Sequence, residues 1–104
     1  MNRVSPEQEK TPAGNGMLTR DVAVQNRYGI HARPAALLVK TASRFTCEIF
    51  LENNGVRVNA KSIMGLLTLE GNHGAKLRIH ARGGDAREAL DALAELFSQK
   101  FFEE

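Results

Sequence analysis

A chain of 104 residues, 42% hydrophobic and 25% charged, has room for one core and one domain. Its formal charge of +2 is too small to imply nucleic-acid binding by itself, so the placement of charge matters more than its sum. Cys47 is the only cysteine, which excludes an internal disulfide, and no apolar stretch approaches the ~20 residues a membrane helix needs. A cytoplasmic protein without membrane insertion is expected, with Cys47 a buried structural thiol in an apolar strand pattern.

Residues 1–16 are polar, rich in Pro, Gly and Asn, and without apolar period or signal-like apolar run, so a disordered tail is expected there. Met17 is an alternative start for the chain. Residues 18–25 read as a strand with Leu18, Val22 and Val24 on one face. A loop over 26–30 leads into a first helix at 32–44, with Ala35, Leu38, Val39 and Ala42 as its apolar stripe. Cys47, Ile49 and Leu51 alternate with polar neighbours in a second strand, and Asn53-Asn54-Gly55 is a hairpin turn. Val56, Val58 and Ala60 are expected on the inner face of a third strand. Ser62 starts a short helix at 62–69, and Gly71-Asn72-His73-Gly74 is a turn. Ala75, Leu77, Ile79 and Ala81 alternate with Lys76, Arg78, His80 and Arg82 in a fourth strand. A last helix runs from Asp85, its expected N-cap, to Phe101, burying Ala86, Leu90, Leu93, Phe97 and Phe101. One-sided alternation in a βαββαβα order predicts an α+β fold, a two-layer sandwich with an antiparallel sheet and helices on one face.

The most informative run is Gly29-Ile30-His31-Ala32-Arg33-Pro34-Ala35-Ala36. Proline suits a first helical turn, where no N–H is needed. The N–H groups of Ala32 and Arg33 then face the space around the His31 imidazole. The positive helix end and the Arg33 guanidinium suit that space to an anion, phosphate above all. A neutral imidazole has a lone pair that can attack phosphorus, so His31 could itself carry a phosphoryl group. There is no Walker loop, kinase-like loop or paired metal-binding carboxylates, so the chain cannot build an ATP site. No two histidines have metal-ligand spacing, so neither a metal nor a cofactor is expected. His73, in a turn, and His80, on an outer strand face, are expected to be inert.

Gly29-Ile30-His31-Ala32-Arg33-Pro34 resembles the phosphohistidine motif of the histidine-containing phosphocarrier proteins (HPr) of the bacterial phosphotransferase system. Lys61-Ser62-Ile63-Met64-Gly65-Leu66-Leu67 resembles that family's regulatory-serine motif, and the two are separated as in the family. The likeness runs from about Met17 to Glu104, one phosphocarrier domain over 17–104. It implies an open-faced sandwich with a four-stranded antiparallel sheet of order 1-4-2-3 and three helices. It also implies phosphorylation of His31 at Nδ1 by enzyme I, phosphate stabilisation by Arg33 and the Ala32 and Arg33 amides, and delivery to enzyme IIA-type acceptors. A dedicated serine kinase is a further implied partner, acting on Ser62. The chain is expected to be a monomer.

Ser62 reads physically as an N-cap before an apolar run. Ile63-Met64-Gly65-Leu66-Leu67 is too apolar for a one-sided surface helix, so part of it must be exposed, and a small exposed apolar patch commonly marks a partner site. The resemblance places Ile63, Met64 and Leu67 beside the histidine, with Leu66 in the core. Leu37 joins this surface, with Arg33, Lys40 and Arg44 as a basic rim.

Two rivals share the pattern. A βαββαβ order also describes RNA-binding modules, but Phe50 is the sheet's only aromatic, and the stripe Lys76, Arg78, His80, Arg82 is the sole feature in their favour. Within the family, some members are regulators without the histidine, which His31 argues against. A nitrogen-related branch (NPr-like) shares the look of Asn26-Arg27-Tyr28-Gly29 and of the Phe101-Phe102-Glu103-Glu104 ending, whereas the Lys61–Gly65 segment looks closer to the sugar branch.

Overall fold

Period-two alternation in four segments builds a single sheet in this computed structural model, which describes residues 16–103. Its strands are β1 (Leu18–Ala23), β2 (Glu48–Asn53), β3 (Val56–Asn59) and β4 (Lys76–Arg82). They are ordered β1-β4-β2-β3, with every neighbouring pair antiparallel. Helices α1 (Ala32–Ala42), α2 (Ile63–Leu67) and α3 (Ala86–Ser98) cover one face. The expected open-faced α+β sandwich and its 1-4-2-3 order are therefore what the chain adopts. The expected tail lies, apart from Gly16, outside the described residues, as does Glu104.

The inward side chains of β2 and β4, Ile49, Leu51, Leu77, Ile79 and Ala81, meet Leu38 of α1, Leu66 of α2, and Leu90, Leu93 and Phe97 of α3. Each large apolar side chain buried this way contributes about 2 kcal/mol. The β2–β3 hairpin turns on Asn54 and Gly55, at φ 53° and 82°, the left-handed pair that a tight two-residue turn requires. Ser62 caps α2: its Oγ accepts from Gly65 N at 3.0 Å. Cys47 is buried, and burial above all pushes its thiol up to about 11.

Several boundaries and roles differ from expectation. β1 ends at Ala23 and α1 at Ala42, each two residues early. Val56 is exposed rather than an inner residue, because β3 is the sheet's edge and the helical layer does not reach its first residue. Asp85 makes no side-chain cap on α3. Its carboxylate accepts instead from Thr46 N at 2.9 Å and Cys47 N at 3.0 Å, tying the start of α3 to the start of β2. α3 stops at Ser98, not Phe101. Lys100, Phe101 and Phe102 form a left-handed turn with φ of 55°, 54° and 61°. Phe101 is still fully buried, its ring 4.9 Å from that of Phe97, so the apolar stripe is satisfied by a chain reversal rather than by another helical turn.

Two outcomes follow from these contacts. Gly29 has φ +71°, and a Cβ there would collide with the Gly71 carbonyl and lie 3.0 Å from Asn72 Cα. Gly29→Ala should cost about 2–3 kcal/mol, read by denaturant unfolding. The Asp85 carboxyl is held below the usual range, chiefly by the Thr46 N–H, with burial opposing. A depressed folded pKa gives stability that is complete above the unfolded value and is lost as pH falls through the folded one. The stability gap between the wild type and Asp85→Asn should therefore shrink as pH drops from about 5 to 2. A gap that stays constant over this range contradicts the role given to Asp85.

Candidate functional site

The loop between β1 and α1 is held from both ends. Val24 N donates to Ala75 O at 2.9 Å, and Ile30 N donates to Gly71 O at 2.8 Å. Between them Asn26 is completely buried, and its Nδ2 donates to Gly29 O at 2.7 Å. Gly29 supplies the positive φ that reverses the chain, and the buried Ile30 side chain drops into the core. His31 follows with extended backbone, and its carbonyl accepts from Ala35 N at 3.0 Å as the first helical hydrogen bond. It thus occupies the N-cap position, yet its imidazole makes no capping bond.

His31 is 41% exposed in its side chain, enough for a macromolecular donor to reach it. Pro34 is buried in the first turn and locks the entry of α1. The N–H groups of Ala32 and Arg33 have no acceptor among the described residues, as the opening turn of a helix leaves them. They and the helix dipole favour negative charge beside the imidazole. The Arg33 guanidinium is largely exposed and reaches the same side of the site. Tyr28 stands edge-on to the imidazole, with ring centroids 6.4 Å apart, and stacks under Arg27.

Two residues of this site were not anticipated. Asn26 organises the loop, for which an Asn three positions before a turn glycine was the available signal. Glu103 comes from the far end of the chain. Its carboxylate accepts from His31 Nε2 at 3.0 Å and from Asn26 Nδ2 at 3.1 Å, with Arg33 Nη1 at 3.7 Å. Burial pushes the Glu103 carboxyl up, but the hydrogen bonds from Asn26 and His31 outweigh it and hold the group below the usual range. No local pattern marks Glu103, because its hydrogen-bond partners are 72 and 77 positions away.

The surface expected to meet partners divides cleanly. Leu66 is fully buried, whereas Ile63, Met64 and Leu67 are exposed, Met64 by 73%. α2 packs against α1, on which Leu37 is half-buried and Lys40 is exposed; Arg44 just beyond it is exposed over the Phe45 ring. Ser62 sits at the head of α2, partly accessible.

The outer face of the sheet is a different kind of surface. Arg78 pairs with Asp21 at 2.7 Å, Arg82 with Glu48 at 3.0 Å, and Arg57 lies 3.7 Å from Glu52. Arg78 and Arg82 of the basic stripe on β4 are thus met by carboxylates on neighbouring strands and are not open charge for a phosphate backbone. His80 is buried rather than displayed, opposite Phe50 in the register, and its Nε2 lies 2.7 Å from Glu52. Burial above all lowers its pKa. His73 is exposed in its turn.

Comparison with known proteins agrees with this geometry. The family described as "PTS HPr component phosphorylation site" matches residues 18–99. The chain is 48% identical to the phosphocarrier protein HPr of Treponema pallidum (strain Nichols) over 88 residues, 85% of this chain and 100% of that protein. It is 49% identical over 78 residues to the HPr-like protein Crh of Bacillus subtilis (strain 168), 75% of this chain and 92% of the relative. The crystal structure of HPr-C-His from Thermoanaerobacter tengcongensis superposes with a TM-score of 0.80 at 44% identity, over 83% of this chain and 97% of that one. By sequence, fold and motif, the chain belongs to the HPr family of phosphocarrier proteins of the phosphotransferase system.

Proposed function

We propose that His31 is the phosphoryl carrier of this chain, loaded by enzyme I and emptied by an enzyme IIA-type acceptor. The observation that carries this reading is an accessible imidazole at the N-cap of α1 that makes no capping bond and shares its space with two open helix amides and Arg33. A lone pair of the neutral ring attacks phosphorus on the donor. One P–N bond forms as the donor's bond to phosphorus breaks, and the Ala32 and Arg33 amides with the Arg33 guanidinium meet the charge on the phosphoryl oxygens. Charge-assisted hydrogen bonds of this kind are worth roughly 1.5–3 kcal/mol each. Only a few of them are offered, as a carrier that must release its cargo requires. The reaction needs no cofactor or metal from this chain.

Ile63, Met64 and Leu67, with Leu37, form the apolar part of the surface that meets enzyme I and the acceptor, and Arg33, Lys40 and Arg44 form its basic rim. The rim suits acidic partners and fast encounter. Ser62 lies at the edge of this patch, so a kinase that phosphorylates it would place about −1.5 to −2 charges there. The Lys61-Ser62-Ile63-Met64-Gly65 segment, which looks closer to the sugar branch, supports a sugar-branch enzyme I as donor. Faster phosphorylation by a nitrogen-branch enzyme I would reassign the chain to that branch. The protein acts as a cytoplasmic monomer on this reading.

Labelled phosphoenolpyruvate with enzyme I should give acid-labile label on the wild type and on His73→Ala but none on His31→Ala. Label persisting on His31→Ala would remove the assignment. Arg33→Ala should slow transfer about tenfold while its unfolding free energy stays within about 0.5 kcal/mol of wild type. Both Met64→Asp and Ser62→Asp should raise the apparent KM for enzyme I about tenfold by placing a charge in an apolar contact, with native melting temperatures. An unfolded Met64→Asp would return that residue to the core, and unchanged kinetics would leave Ser62 a plain helix cap.

A further inference from the structure

Glu103 makes a contact that the phosphate site does not need. An anion lies against the ring that must receive an anion, and it is delivered there by three consecutive left-handed residues, Lys100, Phe101 and Phe102, none of them glycine. Each such residue costs about 1 kcal/mol or more, so the turn exists only because other contacts hold it. Those contacts include the buried Phe101 ring on Phe97, the grip of Asn26 on the carboxylate, and backbone hydrogen bonds from Phe102 N to Gln99 O and from Glu103 N to Lys100 O, both 2.9 Å. Asn26 cannot shift, because it is fully buried and its Nδ2 also holds Gly29 O. Loop, imidazole and carboxylate therefore form one fixed unit.

An ionised carboxylate only accepts hydrogen bonds. With Glu103 oxygens 3.0 and 3.3 Å from Nε2, that nitrogen must carry the proton when the ring is neutral. The lone pair is then confined to Nδ1, to which no hydrogen bond is made among the described residues. The hydrogen bond at one ring nitrogen fixes the state of the other. We propose that Glu103 is a positioning residue for phosphoryl transfer: it holds the His31 imidazole in the Nε2–H form and in a fixed orientation, so that Nδ1 is the nucleophile. As the Nδ1–P bond forms and the donor's bond to phosphorus breaks, the ring gains positive charge. The Nε2 proton stays in place, and the carboxylate faces that charge from the side away from phosphorus. The inference rests on His31 being the acceptor.

The test uses the full chain as wild type, Glu103→Ala and Glu103→Gln, each labelled with ¹⁵N in histidine. The two-bond ¹H–¹⁵N spectrum of neutral His31 reads the tautomer, and enzyme I with labelled phosphoenolpyruvate reads the rate. The wild type should show only the Nε2–H form. Glu103→Ala should show a mixture of both forms and a transfer rate about fivefold lower at saturating enzyme I. Glu103→Gln, whose side-chain oxygen can still accept from Nε2, should recover part of each. An unchanged tautomer, or a rate equal to or above wild type, in Glu103→Ala would overturn the proposal, even if melting shows that the 100–102 turn has loosened. If Glu103→Ala does not fold, Glu103→Leu, similar in size but unable to accept from Nε2, carries the same readouts: wild-type spectrum and rate together would overturn the proposal. Mapping the label separates the two readings. Label absent from His31 removes the parent assignment, whereas label on His31 with an indifferent Glu103 removes this inference alone.

Discussion

The buried amide of Asn26 is the contact on which the His31 end of the molecule depends. One NH₂ group ties the Gly29 carbonyl of its own loop to the Glu103 carboxylate from the other end of the chain. A polar side chain this deep is costly unless it is hydrogen-bonded, so the amide is at once a demand on the fold and a means of specifying it. It sets the reversal at Gly29, which sets where α1 begins, which in turn places the imidazole outside the helix and two open amides beside it. These features share a loop pinned between Ala75, Gly71 and the core, with Pro34 locking the helix entry that follows.

Behind that loop the sheet divides its labour by face. The inner face is an apolar surface closed by three helices, and it supplies the rigidity on which the site is mounted. The outer face is a ladder of paired charges running from Asp21 through Arg78, with Glu52 serving both His80 and Arg57. Exposed pairs of this kind contribute little to stability, but they keep an uncovered sheet soluble and leave its basic residues engaged. Lys40 of α1 and Arg44 just beyond it are exposed and make no ion pair among the described residues.

The same economy appears in α2. Five residues make a helix too short to stand alone, so it survives through the Ser62 cap and one buried anchor, Leu66. The remaining apolar side chains are thereby released to face outward. A modification at Ser62 would keep its place at the helix head while changing the charge of the contact surface, so structure and regulation can share one residue.

Local chemistry was enough to read most of this from the chain. Period two in Leu77–Ala81 and period 3.6 in Ala86–Phe97 mark the layers, Asn54-Gly55 marks the hairpin, and His31-Ala32-Arg33-Pro34 marks a helix head with an anion site. Residues within a few positions of one another write such signals, because they share a strand, a turn or a helical face. What the sequence did not disclose depends on partners brought together by folding. Asp85 looked like a helix cap because its neighbours follow one, but its carboxylate found the Thr46 and Cys47 amides across the structure. His80 looked exposed because its strand alternates, but the Phe50 and Glu52 side chains of the adjacent strand cover it. Above all, no periodicity could foretell that α3 would stop at Ser98 and turn left-handed without a glycine. That turn is closed by two backbone hydrogen bonds and held by the burial of Phe101 and the meeting of Glu103 with Asn26 and His31. The sequence by itself determined the layers and placed a histidine at the head of α1; tertiary packing alone decided which carboxylate stands against it, because that contact spans 72 positions and leaves no trace at shorter range.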